Sequence, residues 1–232
     1  MLPRRLPRIR SLVRVTLPKF FDVETYIWNR FSSVDAILVD IRHRDDVDGG
    51  EWRRDVLRSA LDRAPYKPRI YVQTSSYSTD YDNWKKDIEI CSHKNLHGIL
   101  MTVQDSAVLH EVESIAQRDR TRTPPLHPAI EDIIPPHYKD ASVLVDLELG
   151  TIPYAIFKYY NFGGPHEAAW NNLEEMGIHT NTLNVMAMAW RIRAIPRMRD
   201  LVHEMHLLKD LGFTGVVLHS ADFAGVANRI FN

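Results

Sequence analysis

Short apolar runs recur along the chain and alternate with longer stretches in which apolar residues are spaced as on one side of a helix. Eight runs are almost continuously apolar, and they cover residues 11–17, 36–42, 69–74, 98–104, 142–148, 182–190, 192–196 and 215–220. A continuous run, rather than an alternating one, is typical of parallel strands that are buried on both faces. The pattern therefore predicts eight strands of a parallel sheet.

Between these runs lie amphipathic stretches at residues 51–63, 80–94, 106–117 and 198–211. The last one carries a single apolar stripe, and Gly212 is placed to end it as a helix. Strands that alternate with helices predict a parallel α/β fold. With eight strands, the best match is a compact (β/α)8 TIM barrel that spans residues 1–232 as a single domain.

One segment interrupts the alternation. Residues 118–140 contain Pro124, Pro125, Pro128, Pro135 and Pro136, and they predict a long Pro-rich loop within the domain. In a regular barrel this loop leads from a helix to the bottom of the next strand, which favours a structural wrap over a catalytic lid.

Composition excludes several classes of protein without selecting a function. The 232 residues carry a formal net charge of −1, so we expect no nucleic-acid partner, which would require a basic surplus. Cys91 is the single cysteine and excludes a disulfide framework. No apolar run reaches the roughly 18–20 residues of a membrane span. We expect a cytoplasmic protein. Residues 1–21 are rich in arginine, and we interpret them as containing the first strand, with a targeting segment as the alternative.

Three groups of residues, in this order, resemble a known family. Residues 34–40 read VDAILVD, residues 98–107 read GILMTVQDSA, and residues 211–220 read LGFTGVVLHS, with VANRIF at 226–231. They resemble the HpcH/HpaI aldolase and citrate lyase β-subunit-like family over nearly the whole chain. The resemblance implies a (β/α)8 barrel, frequent homo-oligomers, and a lyase that forms or cleaves carbon–carbon bonds with Mg²⁺ held by two acidic residues.

The residues that serve this chemistry in the family are largely replaced. Tyr71 stands at the arginine of the third strand, Arg42 at an acidic position, and Thr102 and Gln104 at the lysine and glutamate that follow the fourth strand. Asp146 is the one potential ligand that survives. A single acid beside Arg42 does not hold Mg²⁺ tightly. We therefore expect Asp146 to pair with Arg42 across the barrel mouth and no cofactor to be bound.

Active sites of such barrels lie at the C-terminal ends of the strands, and those ends define the predicted pocket. The catalytic candidates are Arg42, Gln73, Thr102, Gln104 and Asp146. The substrate-binding candidates are Tyr71, His43, Glu148, Trp190 and His219. Asp40 is expected to brace Arg42 or Arg44.

Three functions for a small-molecule site remain open. The first is a repurposed lyase-fold enzyme that forms a carbon–carbon bond without metal. It would be a cyclase of secondary metabolism, including one of the pericyclic Diels–Alder type, that holds an apolar substrate in near-attack geometry. The second is a Mg²⁺-dependent aldolase or acyl-thioester lyase that cleaves a 2-oxo acid or CoA thioester, with Asp146 and Glu148 as ligands. The third is a catalytically inactive binding protein.

Overall fold

Within the described part of the chain, eight strands pair in chain order, and β8 also pairs with β1, so the sheet closes on itself. The computed structural model describes residues 8–16, 31–42, 50–63, 68–102, 109–119, 142–148, 150–159, 186–191 and 198–232. The strands are β1 Ser11–Thr16, β2 Ala36–Asp40, β3 Arg69–Gln73, β4 Gly98–Thr102, β5 Ser142–Asp146, β6 Thr151–Tyr159, β7 Met186–Arg191 and β8 Gly215–Leu218. The predicted α/β class is confirmed.

One strand runs against all the others. β5 is antiparallel to β4 and to β6, whereas the remaining neighbours are parallel. Ser142 therefore pairs with Thr102 at the C-terminal end of β4, and Asp146 pairs with Gly98 at its start. The prediction of a regular all-parallel (β/α)8 barrel is wrong at this strand. The chain also enters β5 beside the C-terminal end of β4. The sequence had predicted that the Pro-rich loop leads to the opposite end of the sheet.

The reversal of β5 makes a hairpin with β6, a strand that the apolar pattern does not reveal. Gly150 adopts a φ of 64° in the turn, a conformation that glycine takes without steric cost. Pro153 lies where the register slips between the pairs Asp146–Thr151 and Leu144–Tyr154. A proline cannot donate to a strand ladder and is tolerated at such an irregularity. Because this proline lies inside the sequence TIPYAIFKY, residues 151–159 lack the continuous apolar run that predicts a strand.

The helices follow the predicted positions closely. They are α1 Glu51–Asp62, α2 Tyr81–Ile88, α3 Leu109–Asp119, α4 Met198–Asp210 and α5 Ala224–Ile230, with 3₁₀ turns at Glu89–Ser92 and Ala221–Phe223. Of the five helices in the described ranges, four match the predicted amphipathic stretches. The predicted strand at 182–190 corresponds to β7, while 192–196 and most of the Pro-rich loop lie outside the described residues. In the part of the chain described, no helix has both the length and the apolar character needed to cross a membrane.

Two apolar clusters lie on opposite faces of the sheet because side chains alternate along each strand. The outer cluster joins the strands to the helices and includes Val39, Leu57 and Met205. The inner cluster includes Leu12, Leu38, Tyr71, Leu100, Leu144, Tyr154 and Val217. Continuing the alternation from the inner cluster toward the C-terminal ends of the strands gives Arg14, Asp40, Gln73 and Thr102. The inner face thus changes from apolar to polar at the end of the sheet where the predicted site lies.

Candidate functional site

A buried carboxylate joins two arginines at the C-terminal end of the sheet. The side chain of Asp40, at the end of β2, is 1% exposed, and its Oδ2 accepts a hydrogen bond from Arg14 of the adjacent strand β1. The same carboxylate accepts bonds from Arg42 Nε at 2.9 Å and Arg42 Nη2 at 3.0 Å. The backbone N–H of Arg42 also donates to Asp40 Oδ1 at 3.2 Å. Asp40 thus fixes both guanidinium groups, which confirms its predicted role in bracing Arg42.

The electrostatics of this cluster favour the ionised carboxylate. Burial by itself raises the pKa of Asp40, but the hydrogen bonds and positive charge of Arg42, together with the charge of Arg14, outweigh it and lower this pKa to about 2. Arg42 keeps 37% of its side chain exposed while it holds Asp40. A guanidinium that is oriented on one edge and open on the other is suited to bind a carboxylate or a developing oxyanion.

Gln73 and Thr102 lie at the same end of the sheet. Gln73 is opposite Asp40 in the β2–β3 register, and Thr102 ends β4. The Oε1 atom of Gln73 is buried and has no hydrogen-bond donor among the described residues. A buried acceptor without a donor is costly, and such atoms are commonly satisfied by water or a ligand. Gln73 therefore offers an acceptor beside the arginine cluster.

A cleft of about 200 Å³ opens at the C-terminal ends of β1 and β8. Its lining includes Arg14, Thr16, Phe31, His219 and Ser220, and the surface that it presents is mostly polar. Because Arg14 reaches both this cleft and Asp40, the cleft adjoins the cluster that holds Arg42. Four predicted site residues, Arg42, Gln73, Thr102 and His219, thus share one end of the sheet.

A second charged cluster lies at the opposite end. Asp146 is fully buried, and its Oδ2 accepts hydrogen bonds from Arg69 Nη2 at 2.7 Å and from the Tyr71 hydroxyl at 2.9 Å. Arg69 Nη2 also lies 3.0 Å from Glu148 Oε2, and Arg69 Nε donates to the Tyr71 hydroxyl at 3.1 Å. The predicted pairing of Asp146 with Arg42 is therefore wrong, because the reversal of β5 carries Asp146 to the N-terminal end of the sheet.

Two other predicted site residues also lie away from the mouth. Glu148 follows Asp146 to the N-terminal end, and Tyr71 lies in the middle of β3 with its ring in the inner apolar cluster. Burial, and then the negative charge of Asp146, raise the pKa of Tyr71 well above its ordinary value, so the phenol stays neutral. Tyr71 is thus a buried hydrogen-bonding residue of the sheet interior.

The side-chain positions of the remaining predicted site residues are not among those that the structure describes. Gln104 and His43 lie outside the described residues, and Trp190 is seen only as a backbone position in β7. Sequence reasoning missed Arg14 as a site residue. Its signal was present in the alternation of β1, where Leu12 faces the inner cluster and Arg14 follows two positions later on the same face.

The carboxylates of Asp40, Asp146 and Glu148 do not fit a Mg²⁺ site of the kind that the resemblance implies. The guanidinium of Arg69 lies against both Asp146 and Glu148, and Asp40 is held by two arginines. A cation would have to displace a guanidinium from each of these carboxylates. No group of three potential metal-binding side chains occurs within the described ranges.

Comparison with known proteins identifies the fold. No family model matches the sequence, and no curated protein matches it. Among solved structures, RipC from Yersinia pestis superposes with a TM-score of 0.60 at 11% identity, covering 97% of this chain and 95% of RipC. CitE from Mycobacterium tuberculosis, complexed with the triphosphate group of ATP, gives the same score and identity and 97% coverage of both chains. The M. tuberculosis citrate lyase β subunit with oxaloacetate and magnesium gives 0.56 at 12%, again with 97% of both.

The chain therefore has the fold of the citrate lyase β subunit over nearly its full described length. The resemblance that the sequence motifs indicated is confirmed at the level of the fold. At 11–12% identity the likeness concerns the fold alone, and the chemistry has to be argued from the residues of this chain.

Proposed function

We propose that the chain is an enzyme with a citrate-lyase-type fold that acts on a carbon–carbon bond of a small, carboxylate-bearing substrate. We infer that its sheet is a (β/α)8 barrel in which the fifth strand is reversed. The observation that carries the functional proposal is the Arg14–Asp40–Arg42 cluster beside the polar cleft. No metal is needed in this scheme, because Arg42 supplies the positive charge at the reacting carbonyl.

Forming or cleaving a bond next to a carbonyl places negative charge on the carbonyl oxygen. A donor fixed in advance where that charge develops contributes a few kcal/mol, typically about 2.7–4. Arg42 is fixed by two side-chain bonds to Asp40 and retains an exposed edge. His219, in the lining of the adjacent cleft, offers an imidazole that can form a hydrogen bond to the substrate or transfer a proton. The hydroxyl of the neighbouring Ser220 is bonded to Asp222.

The cyclase hypothesis shares this metal-free chemistry but requires an apolar mouth. The described part of the cleft is mostly polar, so it favours a small charged substrate over a large apolar one. We therefore retain metal-free formation or cleavage of a carbon–carbon bond, and we do not extend the proposal to a pericyclic cyclase. The Mg²⁺-dependent alternative has less support, because guanidinium groups hold the described carboxylates.

Oxaloacetate, a ligand of one structural neighbour, is a suitable first probe. Binding is measured by isothermal titration calorimetry, and products are followed by NMR, with Mg²⁺ or with EDTA. We expect Arg42→Ala to weaken binding at least about tenfold, as expected for loss of a charged hydrogen-bonding group. Arg58→Ala is the matched control, since Arg58 is similarly exposed, at 41%, on the outside of α1.

Unchanged binding in Arg42→Ala would refute the assigned site, and activity that disappears with EDTA would favour the Mg²⁺-dependent lyase. Binding without turnover of any small 2-oxo or 3-hydroxy acid would identify the chain as a binding protein.

A further inference from the structure

Arg42 is held through its backbone as well as through its side chain. Arg53, in the first turn of α1, donates from Nη1 to the carbonyl oxygen of Arg42 at 2.5 Å. On the other side of the same residue, Asp40 Oδ1 accepts from the Arg42 N–H. The peptide groups on both sides of the Arg42 Cα atom are thereby restrained, which limits the directions that its side chain can take from the end of β2.

Arg53 is buried to a degree that is unusual for an arginine. It is 7% exposed, and its guanidinium carbon lies 5.1 Å from the centre of the Trp52 ring. Burying a guanidinium is costly unless it is hydrogen-bonded or stacked. Arg53 therefore occupies a defined position from which it reaches the end of β2.

The neighbouring Arg54 provides an internal comparison. It is also buried, but it bonds Asp87 of α2 at 2.8 Å and Glu51 at 3.0 Å. Asp87 in turn accepts from the Ser75 N–H, so this network ties α1 to α2 and to the segment after β3. Arg54 thus links elements of the outer layer. Arg53, in contrast, donates to the backbone carbonyl of Arg42, whose side chain belongs to the candidate site.

We propose that Arg53 is a positioning residue for Arg42. It fixes the carbonyl of Arg42 and so holds the guanidinium of Arg42 against Asp40. The relevance of this to catalysis rests on the proposed function, but the orientation of Arg42 does not. The two can therefore be tested separately.

The direct readout is the hydrogen exchange of the Arg42 Nε–H group, observed by ¹⁵N NMR and assigned with Arg42→Lys. This group donates to a buried carboxylate in the native protein. Arg53→Met keeps the apolar stem and removes the donor, and we expect exchange at Arg42 Nε to become at least about tenfold faster. Arg53→Lys should restore part of the protection. Arg58→Met, on the exposed side of the same helix, should leave it unchanged.

Oxaloacetate affinity is measured on the same variants. We expect about tenfold weaker binding in Arg53→Met and partial recovery in Arg53→Lys. Wild-type exchange at Arg42 Nε in a folded Arg53→Met protein would overturn the proposal. If Arg53→Met does not fold, Arg53→Lys decides alone: faster exchange supports the proposal and native exchange overturns it. Failure of oxaloacetate to bind the wild-type protein would count against the proposed function, while the exchange measurement would still decide the role of Arg53.

Discussion

The two ends of the sheet carry the same kind of cluster, a buried carboxylate held by arginine, in different surroundings. At the N-terminal end, Asp146 is enclosed by Arg69 and the fully buried Tyr71. At the C-terminal end, Asp40 is equally buried, but Arg42 is 37% exposed and the cluster adjoins a cleft. The difference lies in what surrounds the charges. The arginine of the N-terminal cluster is 23% exposed, less than Arg42, and this cluster stabilises the fold. A more exposed guanidinium beside a cleft can also bind a ligand.

The largest effect is expected from the removal of the buried carboxylate of Asp146 at the N-terminal end. Asp146→Ala would leave Arg69 without its buried partner and the Tyr71 hydroxyl without its acceptor. Breaking a buried pair from one side costs about 3–5 kcal/mol, and we expect a loss of this size in the free energy of unfolding, measured with urea at neutral pH. Oxaloacetate affinity of the folded fraction should not change.

Glu148→Gln is the control for that experiment. Glu148 contacts the same Arg69 but is 55% exposed, so its replacement should cost less than about 1 kcal/mol. If Asp146→Ala costs no more than Glu148→Gln, the N-terminal cluster does not stabilise the fold as described.

The second-largest expected effect is the loss, in acid, of the stability that Asp40 contributes at the C-terminal end of the sheet. The pKa of Asp40 is lowered from an ordinary 3.8 to about 2. A carboxylate whose folded-state pKa is depressed contributes stability above its unfolded-state pKa, and this contribution disappears as the pH falls from about 4 to about 2. We expect wild-type protein to exceed Asp40→Asn in unfolding free energy by about 2 kcal/mol at pH 6.

Urea titrations of both proteins between pH 6 and pH 2 test this expectation. The difference between them should shrink continuously below pH 4. A difference that stays constant to pH 2 would mean that the arginines do not stabilise the ionised form of Asp40.

The smallest expected effect concerns the Tyr71 hydroxyl in the N-terminal cluster. Tyr71→Phe removes a hydroxyl that donates to Asp146 and accepts from Arg69 Nε, and it leaves the contact of Arg69 with Asp146 in place. We expect a loss of about 1–2 kcal/mol, the usual contribution of two hydrogen bonds. Tyr77→Phe, a change in a partly buried tyrosine, serves as the control and should leave stability within about 0.5 kcal/mol of wild type. Equal losses in the two variants would argue against a specific role for the Tyr71 hydroxyl.

Much of the fold could be predicted from hydrophobic periodicity, because the strands and helices of the regular parts are buried in a regular way. Helices α1 and α4 match their predicted extents within a residue or two. Strand direction could not be predicted, since an apolar run such as Ser142–Asp146 reads the same in a parallel and an antiparallel sheet. Because Pro153 interrupts the apolar pattern of β6, the sequence did not reveal the hairpin in which β5 is reversed.

The positions of the candidate site residues could be predicted only where the direction of the strand had been predicted correctly. Arg42 follows β2, while Gln73 and Thr102 are the last residues of β3 and β4. These strands run as expected, and the three residues lie at one end of the sheet. Asp146 and Glu148 were assigned to the wrong end because they follow the reversed strand. Arg53 gave no signal in the sequence, since its contact with Arg42 joins a helix to the end of a strand.

Gly98 affects whether the sheet exposes strand edges to other molecules. A Cβ atom at this position would lie 1.9 Å from the carbonyl oxygen of Val145 and 2.9 Å from the Tyr71 ring. Any side chain there would force β5 away from β4 and leave two strand edges with unpaired backbone groups. Such edges are templates for strand addition between copies of a protein. The continuous pairing of β4 with β5, which leaves no open edge between them, therefore depends on the absence of one methyl group.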